Sequence, residues 1–99
     1  MNPSIQAKLE RIAERFEEIT ALLADPEIQN DQNRFRGLGR EYAQIEPVVE
    51  GYRRYQALEQ EIAGAEEMLA DPEMAELARD ELNEARQRQQ EMEPELQKL

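Results

Sequence analysis

A seven-residue pattern that occurs twice constrains this chain more than any other feature. Leu22-Leu23-Ala24-Asp25-Pro26-Glu27-Ile28 returns 46 residues later as Met68-Leu69-Ala70-Asp71-Pro72-Glu73-Met74. The residue before a proline is pushed out of the α region, so a helix is expected to stop near Ala24 and again near Ala70. Asp is a preferred N-cap, Pro is tolerated at the first helical position, and an early Glu suits the positive end of the helix dipole. Each copy therefore ends one helix and starts another. Asn2-Pro3 is a third Asx-Pro pair and starts the first helix in the same way.

Between these marks the apolar residues keep helical spacing. Ile5, Leu9, Ile12, Phe16, Ile19 and Leu23 are separated by alternating fours and threes, a heptad stripe flanked mostly by charged and amide side chains. The spacing predicts a helix over residues 3–24. A second helix is predicted over 32–69, capped by Asn30 or Asp31, with Phe35, Leu38, Tyr42, Ile45, Val49 and Tyr52 as its stripe. The phase then slips, because Tyr52, Tyr55 and Leu58 are spaced by two successive threes. Such a slip rotates the apolar face about the helix, and a change of packing partner accounts for it. At ~1.5 Å per residue the three helices measure ~33, ~57 and ~42 Å, so the first covers only the first half of the second. Pro47 removes a backbone hydrogen bond within the second helix. A continuous but bent helix is expected, with a break at Pro47 as the alternative. The third helix is predicted over 72–99, with Leu77, Leu82, Ala85, Met92, Leu96 and Leu99 on its stripe and Ala78 and Gln89 filling in. The fold class is thus all-α: an antiparallel three-helix, coiled-coil-like bundle with a long, bent central helix, forming a single domain over residues 1–99. The chain stops mid-pattern and is expected to be the N-terminal part of a longer one.

Composition narrows the chemistry. Aromatics are only 5% of the residues, so the core is narrow and aliphatic, and with no Cys or His the commonest metal ligands and the commonest general base are missing. Glu17-Glu18, Glu66-Glu67 and Asp80-Glu81-Glu84 lie between stripe positions and read as solvated faces rather than paired catalytic acids. Gly37-Leu38-Gly39 lacks the Lys-Ser or Lys-Thr of a phosphate loop. No catalytic, cofactor or metal residue is expected, and the chain is not expected to be an enzyme. The longest uncharged run near the N-terminus, Ile19 to Ala24, is far short of the ~20 residues of a membrane span. A cytoplasmic protein is the expectation.

Charge is unevenly placed. Residues 1–33 carry 3 basic and 7 acidic side chains, residues 34–54 carry 5 and 3, and residues 55–99 carry 4 and 13. Only the middle block is net basic, and all its cations are Arg: Arg34, Arg36, Arg40, Arg53 and Arg54. Arg suits bidentate contacts to phosphate and carboxylate, although such residues also serve as counter-charges within the chain. The candidate contact surface is the first corner with the Arg-rich stretch next to it: Asp25, Glu27, Arg34, Arg36 and Arg40. The net charge of −11 opposes sequence-independent nucleic-acid binding, so DNA is not an expected partner.

In order and spacing, several of these pieces resemble the N-terminal domain of bacterial peptide chain release factor 1, the class-I factor that decodes UAA and UAG. They are Pro3-Ser4-Ile5 with Lys8-Leu9-Glu10, Arg15 with Glu17-Glu18, Leu23 with Asp25, and Arg34-Phe35 with Leu38. Arg40-Glu41-Tyr42-Ala43-Gln44, Met68-Leu69, Asp71-Pro72-Glu73-Met74 and Asp80-Glu81-Leu82 with Glu84-Ala85 complete the set, which looks less like the sister factor that reads UGA. The resemblance implies a cytoplasmic translation-termination protein. Its helical first domain would dock at the GTPase-associated region of the large ribosomal subunit, on protein and rRNA, and would be joined to the remaining domains of the full-length factor. The family's Gly-Gly-Gln motif and codon-reading tripeptide are not in this sequence. The rival reading is a free-standing coiled-coil adaptor that self-associates or binds a partner helix.

Overall fold

The computed structural model describes residues 1–98, among which there are four α-helices and no strand: α1 (Pro3–Leu23), α2 (Pro26–Asn30), α3 (Gln32–Met68) and α4 (Ala75–Gln97). The protein is all-α with a long central helix. It divides into two compact units, Met1–Glu50 and Gly51–Leu99. Helix α3 is uninterrupted through Pro47, so the expected continuity holds and the break does not occur.

The Asx-Pro starts work through side-chain caps. Asn2 Oδ1 accepts the Ser4 N–H at 2.8 Å, and the Asp25 carboxylate accepts the Glu27 N–H at 2.9 Å. After Asp25 the chain makes a true α-helical turn, with Gln29 N–H donating to the Asp25 carbonyl at 3.0 Å. The resulting α2 buries Ile28, and Gln29 Nε2 donates to the Leu23 carbonyl, satisfying one of the open acceptors at the end of α1. Asp31 then caps α3 by accepting the Arg34 N–H at 3.2 Å.

The second copy of the pattern behaves differently, and the expected helix start at Pro72 is corrected to Ala75. Asp71 again accepts an N–H two residues on, from Glu73 at 3.0 Å. The next bond, however, runs from Met74 N–H to the Asp71 carbonyl, three residues back rather than four. Residues 71–74 therefore form a closed turn, and regular helix begins with the bond from Ala78 N–H to the Met74 carbonyl. The other end differences are Leu23 for 24, Met68 for 69 and Gln97 for 99. Leu99 lies outside the described residues.

In the first unit, α1 runs antiparallel to the opening turns of α3. The rings of Phe16 and Tyr42 lie 4.7 Å apart, tilted by 31°. One heptad back along α1 and forward along α3 leads to Leu9 and Val49, both buried. Ile19 is fully enclosed, and Ile12, Leu38 and Ile45 are half-buried. One heptad in the other direction leads to Leu23 and Phe35. Leu23 is the last residue of α1, so the seam runs out there, and Phe35 is 42% exposed although its spacing marks it as a stripe residue.

In the second unit, contacts between the rest of α3 and α4 also reverse in order: Glu66 with Arg86, Tyr55 with Glu93, Gly51 with Leu96. That order defines an antiparallel hairpin. A methyl placed on Gly51 would come 3.2 Å from Leu96 Cδ2, so the missing side chain permits close approach at this level. On α4 the inward positions are Ala78, Leu82, Ala85, Gln89, Met92 and Leu96, an unbroken heptad rhythm. Leu77, expected on this stripe, is 60% exposed; Ala78 occupies the seam in its place. Small and larger residues share this seam, with Ala65, Ala78, Ala85, Leu82 and Leu96 all buried. Gln89 Nε2 is buried without a hydrogen-bond partner, an arrangement that costs stability.

The burial pattern sets the expected effect of three substitutions. Ile19→Ala removes a fully enclosed branched side chain and is expected to cost about 2–5 kcal/mol. Leu77→Ser is expected to stay within about 0.5 kcal/mol of wild type, and Gln89→Leu to raise stability by about 1 kcal/mol. Urea unfolding monitored by helical circular dichroism measures all three.

Candidate interaction surface

The residues singled out at the first corner divide by role. The Asp25 carboxylate is engaged in capping α2, and Glu27 stands exposed in the first turn of that helix. Arg34, Arg36 and Arg40 all project from α3 and are exposed. They do not form one cluster. At ~100° per residue, Arg36 and Arg40 lie one turn apart on the same side, while Arg34 lies about 160° around the helix from Arg36. The surface to consider is therefore Arg36 with Arg40. None of the three makes an ion pair among the described residues.

Glu41, the acid next to Arg40, is already committed. Arg15 Nε donates to Glu41 Oε2 and Arg15 Nη2 to Oε1, both at 2.8 Å, in a bidentate bridge from α1 to α3. The same guanidinium reaches Glu18 Oε1 at 2.9 Å. The hydrogen bond from Arg15 holds the Glu41 carboxyl below the usual carboxylate range, and the bond to Glu41 raises Arg15 above the usual guanidinium range. Both side chains are more than a third exposed, so the bridge sets register more than it adds stability. Its electrostatic effect is local: Arg15 neutralises Glu41, and Arg36 and Arg40 keep their positive charge toward solvent.

The second unit holds a matching polar clasp. The Tyr55 hydroxyl donates to Glu93 Oε1 at 2.8 Å. Burial, reinforced by that bond, pushes the Tyr55 phenol above its ordinary range, and the same bond draws the Glu93 carboxyl down. Beside the clasp lies an open groove of ≈ 520 Å³ lined by Arg54, Ala57, Leu58 and Glu61 of α3 and by Arg88, Glu91, Met92 and Glu95 of α4. Among the described residues, no three His, Cys, Asp or Glu side chains converge as a metal site, and no helix is long and apolar enough to cross a membrane.

Three features are not legible from the sequence. The Arg15–Glu41 bridge joins residues 26 apart whose partnership no local spacing reveals. Phe35 reads as core from its spacing, yet it is 42% exposed. The groove needs the register between α3 and α4, although its stripes are visible at i, i+3, i+4 and i+7 on each helix.

The family model of the PCRF domain matches residues 12–99. The chain belongs to the PCRF domain family. This is the helical domain of class-I peptide chain release factors, and membership ties the chain to translation termination and so to the ribosome. The bridge from Arg15 to Glu41 lies within the matched region of the PCRF domain, as does every α3 residue of the Arg surface.

The clasp and the bridge make stability pH-dependent with a defined sign. Folding lowers the carboxyls of Glu41 and Glu93, so their contribution is complete above the ordinary carboxylate value of about 4.3 and is lost as pH falls below it. Folding raises the phenol of Tyr55, so its contribution is complete below about pH 10 and is lost as pH rises beyond it. Arg15→Ala is expected to remove the Glu41 part of the acid limb, and Tyr55→Phe to flatten the alkaline limb and reduce the Glu93 part of the acid one, read from thermal midpoints across pH.

Proposed function

We propose that this domain docks a class-I release factor of the UAA- and UAG-reading kind on the ribosome, at the GTPase-associated region of the large subunit. The observation that carries the docking surface is the Arg36–Arg40 pair: two exposed cations in an acidic chain, with the neighbouring Glu41 held by Arg15. Phosphate oxygens of rRNA or carboxylates of a ribosomal protein suit such a pair. Arg34 and Glu27 lie at the margin, and Asp25 acts through the corner it caps. Codon choice rests on the resemblance of the Arg34-Phe35, Arg40-Glu41-Tyr42-Ala43-Gln44 and Asp71-Pro72-Glu73-Met74 segments to the factor that reads UAA and UAG.

In this reading the domain makes and breaks no bonds. It positions a factor whose other domains read the codon and promote peptidyl-tRNA hydrolysis, and it does so in the cytoplasm.

Ribosome co-sedimentation of the 99-residue chain tests the surface. Arg36→Glu with Arg40→Glu is expected to weaken binding at least tenfold while helical content stays unchanged, and Arg34→Glu alone to have a smaller effect. Equal binding by the double variant and the wild type removes this surface from the proposal. Release assays on UAA, UAG and UGA complexes with the full-length factor test codon choice separately; release at UGA but not at UAG would sink it.

A further inference from the structure

The groove between α3 and α4 carries a charge pattern that the docking function does not use. Its walls are two helical stripes, 54, 57, 58 and 61 on one side and 88, 91, 92 and 95 on the other. The antiparallel order of contacts, Tyr55 with Glu93 and Glu66 with Arg86, brings Arg54 and Glu95 to one end and Glu61 and Arg88 to the other. The four corners therefore alternate in sign around the groove, with Arg54 and Arg88 on one diagonal and Glu61 and Glu95 on the other. Ala57, Leu58 and Met92 form the apolar floor. None of the four corner residues makes an ion pair among the described residues.

A checkerboard of this kind is its own complement. Turning a copy over about an axis in the plane of the groove places each cation on an anion, whether the axis runs along the groove or across it. Glu91 chooses between the two. An axis across the groove stacks Glu91 near Glu91 of the second copy, a like-charge contact. An axis along the groove places it over Ala57 and Leu58 of the second copy and sets α3 of each copy beside α4 of the other, every neighbour antiparallel. Isologous interfaces repeat each contact in this way.

We propose that the occupant of this groove is a second copy of the chain, docked face to face about a two-fold axis parallel to the groove. Arg54 pairs with Glu95 of the second copy, Glu61 with its Arg88, and the two apolar floors close on each other. Eight lining residues a side are well below the roughly 20–30 of a standard stable interface, so the association is weak and reversible. A partner helix from another protein is the competing occupant.

Sedimentation equilibrium on the 99-residue chain, from about 10 μM to about 1 mM, reads the result. The mass is expected to climb from 11.6 kDa toward twice that value. Arg54→Glu with Arg88→Glu makes every corner acidic, and Glu61→Arg with Glu95→Arg makes every corner basic. Each variant alone is expected to stay monomeric, and an equimolar mixture to associate at least as tightly as wild type. General repulsion gives a different order. The acidic variant moves net charge from −11 to −15 and the basic one from −11 to −7 (two changes of −2 or +2), so repulsion alone makes the basic variant the best self-associator. A wild type that stays monomeric throughout overturns the proposal and leaves the groove to another partner. So does a basic variant that associates more tightly than wild type, or a mixture that does not associate. Circular dichroism of each variant, and recovery of association on mixing, separate lost pairing from lost fold.

Discussion

The structure depends on narrow apolar seams that no helix can satisfy alone. Among the described residues nothing polar or charged is buried as a whole side chain, and the buried positions are aliphatic, Ala or aromatic at heptad intervals. Isolated amphipathic helices are marginal in water and gain most of their stability from tertiary packing. Helix α3 must therefore offer an apolar face to α1 over its first turns and to α4 over its last. The slip from alternating spacing at Tyr52, Tyr55 and Leu58 begins where the first compact unit ends and the second begins. The slip is the sequence counterpart of that change of partner, and both Tyr52 and Tyr55 are buried across it.

Polar groups fix register on this apolar framework. The bidentate Arg15–Glu41 bridge and the Tyr55–Glu93 bond each tie α3 to one partner at one level. Heptad packing by itself tolerates a slide of seven residues, because the same kind of side chain returns to the seam. A pair of specific donors and acceptors does not. On the same short stretch Glu41 is tied to Arg15, while Arg40 beside it and Arg36 one turn earlier are exposed.

The two Asp-Pro corners show how far local chemistry reaches. Both Asp side chains accept the same N–H two residues on, as capping preferences dictate. Beyond that point they diverge. After Asp25 a short helix forms because Ile28 has an apolar seam to enter and Gln29 can reach the Leu23 carbonyl. After Asp71 the chain closes a tighter turn, and the helix waits until Ala75, leaving Leu77 in solvent and Ala78 in the seam.

What the sequence determined by itself was whatever depends on nearest neighbours along the chain. Helix identity, the corners at Asp25 and Asp71 and the stripe of α1 all come from capping, proline sterics and 3.6-residue periodicity, whereas these leave continuity through Pro47 open between a bend and a break, and the structure shows α3 unbroken. The spacing also makes Arg36 and Arg40 neighbours and takes Arg34 away from them, an arithmetic consequence that a count of charges overlooks. Only the tertiary structure decided what depends on register between helices: that Arg15 meets Glu41, that Phe35 stays 42% exposed, that Ala78 rather than Leu77 is inward, and that the repeated element makes a helix once and a turn once. The physical reason is that heptad stripes specify which face packs, whereas the level at which two faces meet is set by long-range contacts. Two like copies of one short motif can therefore begin with the same hydrogen bond and end in different structures.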